Sequence, residues 1–324
     1  MLKMTNPHKL KKRLASFDLG TNTFLLLIAD VEGTRVEPLF EKETVVRLGK
    51  GVDMAGNLNA EAMQRGIACL QEYVALAEQY GAEQILAVGT SALREATNRG
   101  EFLSLAFEKT GVKIRILSGE NEARLSFAGA ISNKPNLPSL IAVLDIGGGS
   151  TEIVIGEPRL FSAAGENVLN ARSADIGAVR LTERFVHSDP VQPEEVMQIY
   201  QHTKAALCKT WSKDELGRVK TIIGTAGTIT TLAAMTLALQ AYDPHRVDGY
   251  VLTRQQLGEI IIELTRRTLA QRRQMPGLNP ARADVILAGA LILEAAMDVY
   301  CFPEILVSDR GLRHGVLVAE ACTR

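Results

Sequence analysis

The chain has 324 residues, 46% of them hydrophobic and 23% charged, with a formal net charge of −1. That length exceeds one ordinary core and points to about two domains. The balanced charge excludes an overall nucleic-acid or membrane-surface binder, although a local basic groove is still allowed.

In chain order, the opening MLKMTNPHKLKKR is basic but has no apolar stretch or cleavage site, so it is expected as a solvated lead-in rather than a targeting signal. Strands are predicted at 14–18, 23–31, 44–48, 84–89 and 113–117. A helix from about Ala60 to Tyr80 carries Met63, Ile67, Leu70, Val74 and Ala77 near the helical period. Further helices are predicted at 91–98 and 120–130. SNKPNLPS, residues 132 to 139, is polar, holds two prolines, and is where the domain boundary is placed.

Beyond it come strands at 140–145 and 152–157, irregular chain, helices at 177–185 and 193–210, and strand 219–223. Helices at 228–239, 253–265 and 280–299, strand 304–308 and helix 310–322 close the chain. The apolar run Leu287 to Val299 carries Glu294 and Asp298 and is too short to span a bilayer. The four cysteines, Cys69, Cys208, Cys301 and Cys322, show no metal-ligand spacing and fit reduced thiols in a cytoplasmic protein.

An internal echo organises the sequence. SFDLGTNTFLLLIADVEG (16–33) and VLDIGGGSTEIVIGEP (143–158) share strand, Asp-apolar-Gly, small polar residues, then a second strand. This predicts two similar α/β halves, each opening with a hairpin whose tight loop faces the cleft between them.

Glycine amides can turn together toward an anion, and Ser or Thr hydroxyls add donors. Gly20, Thr21, Asn22 and Thr23 in one loop, and Gly147, Gly148, Gly149, Ser150 and Thr151 in the other, supply that chemistry. Asp18 and Asp145 would repel phosphate unless a divalent cation, Mg²⁺ or Mn²⁺, stood between them and its oxygens. Ordinary tight hairpins are the alternative. Arg266, Arg267, Arg272, Arg273 and Arg282 form either a track for a polyanion or a solvated helix face. His187, His202, His245 and His314 lack metal spacing and are expected at surface or capping positions.

The two loops, their linker and IIGTAGTITTLAAM (222–235) resemble the phosphate and nucleoside loops of the actin, sugar-kinase and heat-shock-chaperone ATPase superfamily. AVGTSALREATN (87–98), ILSGENEARLSFAGA (116–130) and SDRGLRHGVL (308–317) resemble the exopolyphosphatase and guanosine pentaphosphate phosphohydrolase family, in that family's order. Longer members continue into a helical, HD-like region, so a short two-domain form is expected. The resemblance implies an α/β fold of two actin-like (ribonuclease H-like) domains, 1–131 and 132–309, with an active-site cleft between them. Helix 310–324 would pack back on the first.

In such a family Glu122 of the SGxxEAR pattern would orient and deprotonate the attacking water, and Arg94 would reach the transferring phosphoryl group. Asp145 with Glu152, and Asp18, would organise the metal. Gly224, Thr225, Gly227 and Thr228 would seat a nucleoside or distal phosphate. The substrate implied is polyphosphate or guanosine pentaphosphate, with no nucleic acid or membrane partner and a homodimer left open. A superfamily kinase and a non-catalytic nucleotide sensor are the other classes; a kinase would need an Asp base at its acceptor site.

Overall fold

The computed structural model describes residues 11–158 and 168–322, so most of the basic lead-in lies outside the described residues. Its first sheet contains β1 (Lys12–Leu19), β2 (Thr23–Glu32), β3 (Arg35–Val45), β4 (Gln84–Gly89) and β5 (Ile114–Ile116), ordered β3-β2-β1-β4-β5. The second contains β6 (Ile141–Ile146), β7 (Thr151–Gly156), β8 (Val168–Ala174), β9 (Thr221–Thr225), β10 (Val251–Thr253) and β11 (Glu304–Val307), ordered β8-β7-β6-β9-β11-β10. In both sheets an antiparallel hairpin places its first strand parallel to the fourth. The echo in the sequence is thus a duplicated topology, the α/β ribonuclease H-like order of the actin-like fold.

The central hairpins form because their apolar runs are covered on both faces. Every residue of β6 and β7 is buried. On the first sheet, helix Ala60–Gln79 presents fully buried Tyr73, whose hydroxyl donates to the Phe24 carbonyl at 2.9 Å.

Two helices join the halves. Helix Gly119–Ile131 packs Ala123, Phe127, Ala130 and Ile131 against Ile141, Val143, Val154 and Ile223 of the second sheet. Burying Phe127 alone is worth roughly 2 kcal/mol. Helix Leu312–Cys322 instead lays Leu317 and Val318 on Leu14, Leu27 and Ala29 of the first sheet. The two helices touch through glycines: a methyl on Gly129 would strike the Gly311 carbonyl, and one on Gly315 the Leu125 carbonyl.

Several elements differ from expectation. The strand placed at 44–48 is β3, ending at Val45; it is an edge strand carrying charges and Pro38 at a register shift, so its apolar period is weak. Chain expected to be irregular contains β8, whose residues are mostly half-buried. Helix 91–98 stops at Glu95, and an unforeseen helix, Arg99–Thr110, follows. The helix expected from 280 begins at Ile286, after a single 3₁₀ turn at Pro280–Arg282. His314 is buried rather than at the surface, and its burial beside Arg313 and Arg310 keeps the ring neutral.

Candidate active site

The two hairpin turns meet face to face. The Gly20 N–H donates to the Thr23 carbonyl at 3.1 Å, and the Gly147 N–H donates to the Ser150 carbonyl at 3.0 Å, so both loops close by the same bond. Gly148 and Gly149 are needed for their approach. A methyl at Gly149 would strike Ser91 Oγ and lie 2.8 Å from Thr21 Oγ1; one at Gly148 would lie 3.1 Å from Thr21 Cβ. The Gly147 and Gly148 carbonyls accept from Ala178 and Val179 of helix Ala178–Phe185 at 3.0 and 2.8 Å. No hydrogen bond among the described residues uses the Gly148 or Gly149 N–H.

Beside the turns four carboxyl groups are buried within reach of each other's charge. Asp145 lies opposite Glu152 in the β6–β7 ladder. Ser126 Oγ donates to Asp145 at 2.6 Å, and Ser173 Oγ donates to Glu152 at 2.6 Å. Burial pushes the Glu152 carboxyl well above its ordinary range, and the charges of Glu122 and Asp145 add to that. Burial also raises Asp145, against the hydrogen bond from Ser126. Asp18 is raised by burial, then by Glu122 and Asp145, with Arg313 opposing. Its Oδ1 is buried without a partner, as are Asn22 Nδ2 and Thr23 Oγ1 on the same turn. Buried polar atoms left unpaired cluster where a ligand is expected to complete them.

Glu122 is placed by the start of its helix. Ser118 caps that helix, accepting from the Asn121 N–H at 3.2 Å. Gly119 lets it approach β8, since a methyl there would lie 2.5 Å from Ser173 Cβ. Arg94, in the short helix Ser91–Glu95, donates to Glu122 Oε2 at 2.9 Å and to the Leu117 carbonyl at 3.0 Å. Burial pushes Glu122 up to about 7, Asp145 adds to the shift, and Arg94 opposes it. A carboxylate poised near neutrality and held by a guanidinium can take a proton from water.

Residues 27–323 match the model of the Ppx/GppA phosphatase family. The chain belongs to that family. It is similar to Exopolyphosphatase 2 of Mycobacterium tuberculosis, 36% identical over 291 residues, covering 87% of this chain and 89% of that protein. It is also similar to Exopolyphosphatase 1 of Mycobacterium bovis, 30% identical over 311 residues, covering 94% of this chain and 87% of that one. The Aquifex aeolicus Ppx-GppA enzyme superposes with a TM-score of 0.77 at 34% identity, over 96% of this chain and all of that one, 100%. An exopolyphosphatase from Cytophaga hutchinsonii gives a TM-score of 0.86 at 27% identity, over 96% and 98%.

As a Ppx/GppA phosphatase the protein is a hydrolase, which sets aside the kinase and the non-catalytic sensor. Among its described residues no helix is long and apolar enough to cross a membrane. The structure brings together Glu122, Arg94, Asp145, Glu152 and both turns. The 224–228 loop starts beside the group, with Thr225 next to Asp145 in the β6–β9 ladder, and its side chains are held by other contacts. Thr225 Oγ1 donates to the Arg310 carbonyl at 2.9 Å, and Gly227 is backed by the Arg282 guanidinium, which pairs with Glu43 at 3.0 Å. Thr228 is buried beneath it.

Of the five arginines read as a polyanion track or a solvated helix face, three are engaged within the chain. Arg272 is buried and donates to the Leu264 carbonyl, and Arg267 pairs with Glu263 on its own helix. Sequence reasoning missed Ser126, Ser173, Arg180 and Arg313. Only Ser126 carried a signal: four positions beyond Glu122, it shares that residue's helix face.

Proposed function

We propose that this Ppx/GppA phosphatase is an exopolyphosphatase, hydrolysing the terminal phosphate of inorganic polyphosphate to orthophosphate in a Mg²⁺- or Mn²⁺-dependent reaction. The names of its relatives support the substrate, and the Arg94–Glu122 pair carries the chemistry. Glu122, buried and pushed up to about 7, takes one proton from a water whose oxygen attacks the terminal phosphorus. The bridging P–O bond breaks, and its electron pair stays on the shortened chain. Arg94 turns its planar guanidinium to the equatorial oxygens of the phosphoryl group in transfer. The Gly20–Thr23 and Gly147–Thr151 turns hold the chain with backbone and hydroxyl donors.

The acids fit a hard divalent ion. Among the described residues no three His, Cys, Asp or Glu side chains form a metal cage of their own. Mg²⁺ needs none, because it keeps water and phosphate oxygens beside one or two carboxylates. The unpartnered Asp18 Oδ1 and the facing pair Asp145 and Glu152 are the groups that would hold it. When bound it would neutralise charge on carboxylates and phosphate together.

The same machinery serves the 5′ γ-phosphate of guanosine pentaphosphate. The Thr225 hydroxyl is taken up by the Arg310 backbone carbonyl and the Arg282 guanidinium backs Gly227, which supports the substrate without a nucleoside. Phosphate release from the two compounds, measured side by side with Mg²⁺, tests the choice: faster release from guanosine pentaphosphate at equal concentration overturns it.

A further inference from the structure

Arg180, on helix Ala178–Phe185, is 9% exposed and uses its whole guanidinium, one edge on its own half's Gly149 turn and the other across the cleft. Its Nε–H donates to the Gly149 carbonyl at 2.8 Å, Nη2 donates to both Glu95 oxygens at 2.7 Å, and Nη1 meets Asp53. Glu95 accepts a further bond from Ser91 Oγ at 2.7 Å, and Ser91 lies against Gly149. Glu95 directly follows Arg94 in a helix of 5 residues. So short a helix has too few internal hydrogen bonds to fix its own orientation. Leu93 anchors it in the core of the first half, and its polar side chains fix the rest. Arg94 is tied to Glu122 and Glu95 to Arg180.

We propose that Arg180 is a positioning residue for hydrolysis. Through Glu95 it orients the 91–95 helix so that Arg94 meets Glu122, and through the Gly149 carbonyl it sets the phosphate turn against that pair. Arg180 belongs to the second half, whereas Glu95 and Asp53 belong to the first. Closing the cleft and assembling the catalytic pair are therefore one event. The proposal rests on the assignment of Arg94 and Glu122 as the hydrolytic pair. Arg184 also reaches Asp53, at 2.7 Å, but is 39% exposed and touches neither turn, which makes it a control.

The test is phosphate release from polyphosphate by Arg180→Ala, Arg180→Lys, Glu95→Gln and Arg184→Ala, and by Arg180→Ala in an Arg94→Ala background. Arg180→Ala is expected to lower kcat about 10- to 100-fold, the effect of a small misplacement of reacting groups, with KM within about threefold. Lys keeps the charge but not the fork, so it recovers only part. Glu95→Gln falls in the same direction, and Arg184→Ala stays at the wild-type rate. In the Arg94→Ala background Arg180→Ala costs less than about twofold more, because the two residues act as a unit.

An equal fall in both backgrounds, or a change in KM alone, overturns the positioning role. Should Arg180→Ala fail to fold, Glu95→Gln in the two backgrounds decides the same question. A wild-type protein that frees no phosphate from polyphosphate counts against the proposed substrate instead. The coupling is then judged by hydrogen exchange, which Arg180→Ala is expected to speed at 91–95; unchanged exchange there overturns it.

Discussion

Asp145 stands directly opposite Glu152 in the antiparallel β6–β7 ladder, and both carboxyl groups are buried. Burial raises both above their ordinary range, and the charges of Glu122 and Asp145 add to the rise at Glu152. The proposed divalent ion would offset the charge of both groups once they ionise. Activity is therefore expected to vanish in chelator-treated protein and return with Mg²⁺ or Mn²⁺. Asp145→Asn is expected to weaken the metal dependence and the rate together. Full-rate hydrolysis after chelation would show that the carboxylates need no ion.

Glu122→Gln is expected to keep the fold and to lower turnover by a factor on the order of 10² or more, the usual worth of a positioned base. With its carboxyl pushed up to about 7, the wild-type kcat/KM is expected to rise with pH through that region. In the Gln variant this limb is absent. A variant with wild-type turnover removes Glu122 from the chemistry.

Most of this site was legible because it is built from local patterns. The glycine turns interrupt β-branched runs, and the matching aspartates at positions 18 and 145 made the duplication visible. Glu122 and Arg94 were picked out only by the family resemblance of SGENEAR and TSALREA. What failed was information held between distant segments. Arg180 meets Glu95 across 85 positions and Asp53 across 127, so no local period announces it. Strands β3 and β8 are the outermost strands beside their hairpins, half-exposed, and their mixed polarity looks like loop. Ser173, on β8, was lost with its strand.

A stability measurement separates burial from catalysis. Glu122 is raised from 4.5 to about 7, so folding favours its protonated form. That contribution is complete below about pH 4.5 and is lost as pH rises through about 7. Asp18, Asp145 and Glu152 shift in the same direction. In metal-free protein, Glu122→Gln should therefore gain stability over wild type as pH rises from 5 to 8. The gain is at most on the order of 3 kcal/mol and is reduced by the weaker bond from Arg94. Thermal unfolding at several pH values checks this, and a gap independent of pH contradicts the raised carboxyl.

The last prediction concerns the helix pair that carries Glu122. Glycine inside a helix normally costs up to about 1 kcal/mol relative to alanine, so Gly→Ala there should stabilise. Gly315 reverses that sign, because its added methyl meets the Leu125 backbone carbonyl, which cannot swing aside as a flexible side chain would. Helix 312–322 must then move off helix 119–131, at a cost of about 1–3 kcal/mol. Leu125 follows Glu122 by less than one turn, so the strain is delivered to the Glu122 carboxylate. Gly315→Ala is expected to lower both the unfolding temperature and kcat. Gly100, in helix Arg99–Thr110, has open space where its methyl would go, so Gly100→Ala is expected to match or exceed wild-type stability at unchanged kcat. Calorimetry and phosphate-release kinetics on the two variants decide the matter. If Gly315→Ala behaves like Gly100→Ala, the glycine contact does not set the position of Glu122.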